Sequence, residues 1–165
     1  MNGQARAKGF TMVELVVVMI LVGVLAALGI PRLLGDKNME AAVFGDQVVS
    51  GLRRAQAIAT SHRRVVCVSI AAQGLTMRLN GCGNAGLALT GLADDEYATT
   101  DGALAAVPMA PLGAVLFFQP DGRITGGSAG TTPLSNGSIA ITATVDGQAN
   151  TLRTIRVEGT TGHVE

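Results

Sequence analysis

A single carboxylate lies at the head of a long stretch of the chain that carries no charge. Glu14 precedes the uncharged stretch from Leu15 to Ile30, and the cations Arg6 and Lys8 come before it. Placing an ionisable group well inside a membrane costs about 2.5–3.5 kcal/mol, so such a group usually marks function and has a charged partner. The chemistry expected of Glu14 is therefore an ion pair formed in an apolar environment.

The other ionisable residues do not form the pattern of an active site. His62 and His163 are the only histidines, and they lack the spacing of metal ligands. The sequence has no Gly-rich phosphate loop, no Cys-x-x-Cys pair and no Ser-centred elbow. One acidic group lacks the spacing of a calcium loop and favours a solvated loop instead; it comprises Asp94, Asp95, Glu96 and Asp101. We expect neither an enzyme nor a metal or cofactor site.

Four arginines form a basic cluster that has two interpretations. Arg53, Arg54, Arg63 and Arg64 lie near the end of a predicted helix, where the helix dipole stabilises cations by roughly 0.3–1 kcal/mol. The functional alternative is a patch that binds the phosphates of DNA. Twelve basic and twelve acidic residues cancel, and the chain has one Tyr and no Trp, so composition does not support DNA binding. Nucleic acid is thus a partner that the sequence allows but does not favour.

Cys67 and Cys82 are the only cysteines, and both lie in the part of the chain expected to be exported. An even number of cysteines in an oxidising compartment favours one disulfide. Two buried thiols that pack as small apolar groups are the alternative. A disulfide that closes a loop of this length would contribute roughly 3 kcal/mol in the chain-entropy model.

The length of the apolar stretch predicts a membrane anchor. As a helix, residues 10–30 would span about 31 Å, the thickness of a bilayer core. Because cations favour the cytoplasmic side, Arg6 and Lys8 place the rest of the chain on the opposite side. A signal peptide cleaved near Ala27-Leu28-Gly29 is the alternative, and the length of the apolar stretch disfavours it.

An amphipathic helix and a β-hairpin follow the membrane segment. Pro31 can interrupt the first helix. Apolar residues then recur every three or four positions, which predicts an amphipathic helix that ends near Ser61. From residue 64 the period changes to two, and a turn at Ala72-Gln73-Gly74 predicts a hairpin. A disulfide from Cys67 would need a bend after the second strand, and Asn80-Gly81 could supply it.

The remaining chain predicts more strands and a long connection. Residues 81–113 are rich in Gly, Ala and Thr and predict an irregular connection. Strands are predicted at 114–118, 138–145 and 152–157, with turn signals at Asp121-Gly122 and at Asp146-Gly147. The predicted fold class is α+β, with a long N-terminal helix followed by about five strands. One face of their antiparallel sheet lies on the helix and the other lies in solvent.

The start of the chain resembles the signature of type IV pilins. The resemblance rests on Lys8-Gly9-Phe10-Thr11-Met12-Val13-Glu14, followed by an apolar helix. It implies that residues 1–9 are a leader, that prepilin peptidase cuts between Gly9 and Phe10, and that the new Phe10 amine is N-methylated. It also implies that Glu14 pairs with the Phe10 amine of a neighbouring subunit in a filament.

Later segments resemble the GspH/FimT family of minor pilins and pseudopilins. These segments are residues 52–59, 64–68, 117–122 and 155–163. The resemblance implies a structural subunit of a type II secretion pseudopilus or a type IV pilus, partnered by other pilin subunits and free of cofactors. It implies a single-pass inner-membrane protein whose residues 31–165 form a periplasmic domain with a β-rich head from residue 64. A DNA-uptake role is the alternative, but the tail Gly162-His163-Val164-Glu165 lacks the Gly-Arg-x-Arg motif expected for it.

Overall fold

The computed structural model describes residues 11–33, 37–145 and 147–165 of the chain. The chain divides into two units, residues 1–36 and residues 37–165. The first contains helix α1, Met12–Leu33, and the second contains helix α2, Lys37–His62, and the described strands.

Helix α1 is predominantly apolar, and its described side chains, from residue 12 to residue 25, are all exposed. Pro31, which the sequence suggested could interrupt the helix, lies within α1, and the helix continues to Leu33. Among the residues that the structure describes, no helix is long and apolar enough to cross a membrane. The predicted span of residues 10–30 begins outside the described residues and stays a prediction.

Helix α2 confirms the amphipathic helix that the sequence predicts. It ends at His62, and the N–H of Arg64 closes its last turn by donating to the carbonyl of Ala59 at 3.2 Å. Its buried positions recur every three or four residues, as expected for a helix with one face on a core. They are Ala41, Phe44, Gly45, Val48, Val49, Gly51, Leu52, Ala55 and Ala59.

The strands pair antiparallel throughout the described residues and form two sheets. Their bounds are β1 Val66–Ala71, β2 Gly74–Leu79, β3 Leu87–Ala88, β4 Tyr97–Ala98, β5 Leu104–Met109, β6 Val115–Phe118, β7 Ile124–Thr125, β8 Gly137–Val145 and β9 Gln148–Val157. The first sheet has the order β3-β2-β1-β6-β7, and β4 also pairs with β2. The second sheet has the order β5-β8-β9.

Three predicted turns join neighbouring strands. The hairpin β1–β2 pairs Val66 with Leu79 and Ala71 with Gly74, as the alternation predicts. Gly122 and Gly147 adopt positive φ angles of 88° and 76° in the β6–β7 and β8–β9 turns, which a residue without Cβ adopts at little cost. Asp146 lies outside the described residues.

Helix α2 packs against strands of both sheets, and the core lies between the helix and the sheets. Phe44 and Leu52 from the helix meet inward side chains such as Phe118, Ile139 and Ile155, all of them fully buried. The predicted α+β class is confirmed.

The predicted single sheet of about five strands was wrong, as was a wholly irregular connection over residues 81–113. This connection contains β3, β4 and the six-residue strand β5, Leu104–Met109. The two consecutive alanines of β5 weaken the alternation of apolar and polar residues expected of a strand, and Pro108 argues against a strand. Proline is tolerated there because β5 lies at the edge of its sheet. The N–H of Ala106 points away from β8 to the carbonyl of Ala72, and the Pro108 nitrogen, two residues later, points the same way.

Candidate functional site

The exposed surface of α1 is the largest uncovered apolar surface in the described residues. Met12, Met19 and Leu25 are each more than 65% exposed, and every side chain between them is also exposed. Soluble monomers rarely leave contiguous apolar surface of this kind in water. Such a helix is normally buried in lipid or against other helices.

Glu14 lies in the first turn of α1, where the sequence placed it at the head of the apolar stretch. The hydroxyl of Thr11 accepts a hydrogen bond from the Glu14 N–H at 3.3 Å and caps the helix start. The positive end of the helix dipole also favours a carboxylate at this position. Within the described residues the Glu14 carboxylate is exposed and has no cationic partner. Gly9 and Phe10, the predicted cleavage and methylation residues, lie outside those residues, so their roles stay predictions.

The predicted basic cluster is divided by the fold. The guanidinium of Arg53 donates to the Val164 carbonyl, and the guanidinium of Arg54 donates to the Glu96 carboxylate at 2.6 Å. Arg63 and Arg64 are exposed and make no hydrogen bond or ion pair through their side chains within the described residues. Only these last two arginines are therefore available to an external anion.

Cys67 and Cys82 form a disulfide, with their Cα atoms 5.4 Å apart. Cys67 lies opposite Arg78 in the β1–β2 hairpin, so the chain must bend after β2 to bring Cys82 back. Asn80 provides this bend in a left-handed conformation with a φ angle of 61°, and its N–H donates to the Val65 carbonyl. The bend is located where the sequence predicted it.

Three acidic residues of the loop between β3 and β5 form separate ion pairs. Asp94 pairs with Arg78 at 2.6 Å, Glu96 pairs with Arg54, and Asp101 pairs with Lys37 at 2.5 Å. The Lys37 ammonium, by hydrogen bonding, holds the pKa of the Asp101 carboxyl below its ordinary value. The described residues contain no group of three or more His, Cys, Asp or Glu side chains placed to hold a metal ion. These carboxylates tie the loop to α2 and β2.

The C-terminal segment packs on α2, a contact that the sequence did not predict. The side-chain amide of Gln56 donates to the Thr161 carbonyl at 2.7 Å and to the Gly122 carbonyl at 3.4 Å. The backbone groups of Arg156 and Glu165 exchange two hydrogen bonds that extend the edge of β9. No local sequence pattern indicates these pairings, because each joins residues that are distant in sequence or lie beyond a turn.

Comparison with known proteins matches the start of this chain to a sequence motif and its fold to solved structures. Residues 4–30 match the family model of the prokaryotic N-terminal methylation motif. Over 57 aligned residues the chain is 44% identical to the type IV narrow pilus major component PilA5 of Thermus thermophilus. That alignment covers 33% of this chain and 47% of PilA5, so it spans just under half of that relative.

Crystal structures of the type IV minor pilin FimU of Pseudomonas aeruginosa share the fold. For one crystal form the TM-score is 0.54 at 17% identity, covering 78% of this chain and 89% of FimU. For a second form the TM-score is 0.50 at 18% identity, covering 75% and 90%. The chain has the α+β pilin fold.

The chain thus matches an N-terminal methylation motif over residues 4–30 and shares its fold with the type IV minor pilin FimU.

Proposed function

We propose that the chain is a minor pilin, a structural subunit that is held in the inner membrane and then assembled into a filament. The observation that carries this proposal is the apolar surface of α1, which is exposed from residue 12 to residue 25 and overlaps the methylation motif. A bundle of such helices would cover this surface in the filament, and the bilayer would cover it before assembly.

In this proposal Glu14 sets the register between subunits. Its carboxylate has no cationic partner in the described residues, and a charge left unpaired inside a helix bundle is costly. The N-terminal amine of Phe10 from a neighbouring subunit, freed by cleavage after Gly9, supplies the opposite charge. Only one axial stagger between subunits satisfies the pair.

We assign the subunit to a type IV pilus and hold the type II secretion pseudopilus as the alternative. PilA5 and FimU, the relatives found by sequence and by fold, are both named as subunits of type IV pili. The resemblance of residues 52–59, 64–68 and 117–122 to the GspH/FimT family supports a minor rather than a major subunit.

The test uses the full chain in its native cell. Filaments are sheared from the surface, and the subunit is quantified by immunoblot in the filament and membrane fractions. We expect the processed chain in the filament fraction of wild-type cells and its loss from that fraction when the pilus assembly ATPase is deleted. Loss on deletion of the secretion ATPase instead would assign the chain to a pseudopilus. Absence from the filament fraction under all conditions would refute the proposal.

A further inference from the structure

A cleft of about 320 Å³ lies between the C-terminal half of α2 and the loop that follows β2. Four aliphatic side chains line it, and all of them are only partly buried although they pack against the main core. These are Ile58, Leu79, Leu89 and Leu92, with Arg54 and His62 also in the lining. The cleft is large enough to accept one or two aliphatic side chains from another molecule.

Positive charge without a partner accumulates beside this cleft. Arg63 and Arg64 follow His62 directly, and both are exposed with no side-chain partner among the described residues. The nearest acids in the adjoining loop are largely neutralised, because Asp94 pairs with Arg78 and Glu96 pairs with Arg54. Asp95, also exposed, is the acid of this loop that forms no ion pair in the described part of the chain.

The backbone holds the two arginines in a defined position. Arg63 has a φ angle of 50°, in the left-handed conformation that usually favours glycine after a helix. The hydrogen bond from the Arg64 N–H to the Ala59 carbonyl fixes this helix end. Arg63 thus occupies a backbone conformation that costs a residue with a side chain more than glycine.

The opposite wall of the cleft is also fixed. The disulfide between Cys67 and Cys82 and the ion pair of Arg78 with Asp94 fasten the loop that carries Leu89 and Leu92. The cleft is therefore formed before any partner arrives, which lowers the entropic cost of binding.

We infer that the cleft, together with Arg63 and Arg64, docks a neighbouring filament subunit that presents an aliphatic side chain beside a carboxylate. This inference rests on the proposed function, since it requires a filament. Charge complementarity selects an acidic partner, and the aliphatic lining selects a protein. The phosphates of DNA would pair with the arginines but would leave the apolar cleft unfilled.

Two variants of the full chain in its native cell test each half of the surface. R63E/R64E reverses the charge, and L89S/L92S makes the cleft polar. We expect the leader of both variants to be removed normally. The amount of each variant in the sheared filament fraction should fall about tenfold, because each removes a modest part of the contact energy. An unchanged unfolding midpoint of the purified protein in detergent shows that each variant still folds.

Matched controls separate this surface from general effects of charge or polarity. R63K/R64K keeps the charge, and L87S changes an exposed leucine (59%) that lies outside the cleft lining, so both are expected in the filament at wild-type levels. Suppressors selected in the R63E/R64E strain should replace an acidic residue by a basic one in another subunit.

Several outcomes would overturn the inference while leaving the proposed function intact. The first is incorporation of R63E/R64E and L89S/L92S into filaments at wild-type levels. The second is a loss of L87S from the filament fraction equal to that of L89S/L92S. Normal incorporation combined with a loss of DNA binding in R63E/R64E would assign the arginines to nucleic acid instead. By contrast, absence of the wild-type chain from filaments would refute the proposed function itself.

Discussion

The guanidinium of Arg53 on α2 donates two hydrogen bonds to the backbone carbonyl of Val164, from Nε at 3.1 Å and from Nη2 at 2.8 Å. The side chain of Val164 is buried, and its backbone forms a bridge with Val157 at the end of β9. Arg53 thereby holds the C-terminal segment on the helix. An arginine that the sequence offered as a DNA ligand has a structural role.

Replacing Arg53 by Ala should lower the free energy of unfolding by about 1–2 kcal/mol, because the Val164 carbonyl loses a charged donor in a partly buried site. Arg64→Ala is the matched control and should change stability by less than about 0.5 kcal/mol, since Arg64 is exposed. Urea unfolding of the full chain in detergent, followed by circular dichroism, measures both. Equal effects of the two substitutions would contradict the assigned role of Arg53.

Gly162 should tolerate no side chain. Its φ angle is 70°, and a Cβ atom would lie 2.2 Å from the carbonyl oxygen of Gly122. Gly162→Ala should therefore cost about 2 kcal/mol or more, from strain and from displacement of the C-terminal segment. Gly147→Ala is the control, because Gly147 also has a positive φ, at 76°, but nothing lies within 4 Å. Its cost should be about 1 kcal/mol, measured in the same unfolding experiment.

The ion pair of Lys37 with Asp101 should make stability depend on acid pH. Hydrogen bonding from the Lys37 ammonium lowers the pKa of Asp101 below the ordinary 3.8, and the Ala103 N–H acts in the same direction. A lowered pKa adds stability above the unfolded value, and this stability is lost as the pH falls through the folded value. The stability difference between wild type and Asp101→Asn should thus shrink below pH 3.8. Asparagine keeps an acceptor for the Ala103 N–H, so the substitution removes mainly the charge.

Thermal unfolding of both proteins from about pH 7 down to about pH 2 measures this difference. Asp95→Asn is the control, because it removes an exposed carboxylate that forms no ion pair in the described part of the chain. If the difference in stability between wild type and Asp101→Asn is constant with pH, the Asp101 carboxylate does not link stability to pH.

Removing the disulfide should destabilise the domain that carries it. The double variant Cys67→Ser/Cys82→Ser should lose roughly 3 kcal/mol, because the loop between the two cysteines, which are 15 positions apart, is no longer closed in the unfolded chain. Urea unfolding of this variant should coincide with that of wild type under reducing conditions. If the variant without the cysteines is as stable as wild type, the disulfide contributes no stability, and the hairpin and its bend alone hold this part of the fold.

Glu14→Ala should separate processing from assembly. We expect normal leader removal, seen by mass spectrometry, and impaired incorporation into filaments, because the Phe10 amine of a neighbour would lose its partner. Gly9→Ala is the comparison, since it should retain the leader. Filaments with wild-type amounts of Glu14→Ala would rule out the pairing.

Much of the fold could be predicted from local patterns. The periodicity of α2 identified its buried face, because residues three and four apart share one side of a helix. Alternation and turn residues located β1, β2 and the long pair β8–β9. Strand β5 was missed because alanines and Pro108 hide its alternation, and its place at a sheet edge becomes visible only in the assembled sheet.

Part of the candidate site could likewise be predicted from local sequence, and part depends on the tertiary structure. By itself the sequence determined the N-terminal methylation motif and the place of Glu14 at the head of an apolar helix, and it favoured the cysteine pair, because each depends on residues close together in the chain. Only the tertiary structure decided that Arg53 and Arg54 are engaged while Arg63 and Arg64 are exposed. The partner of Arg53 lies 111 residues away in the sequence, and the partner of Arg54 lies 42 residues away. A hydrogen bond depends on distance and angle in space, and no local spacing encodes contacts that the packing of α2 against loop and tail creates.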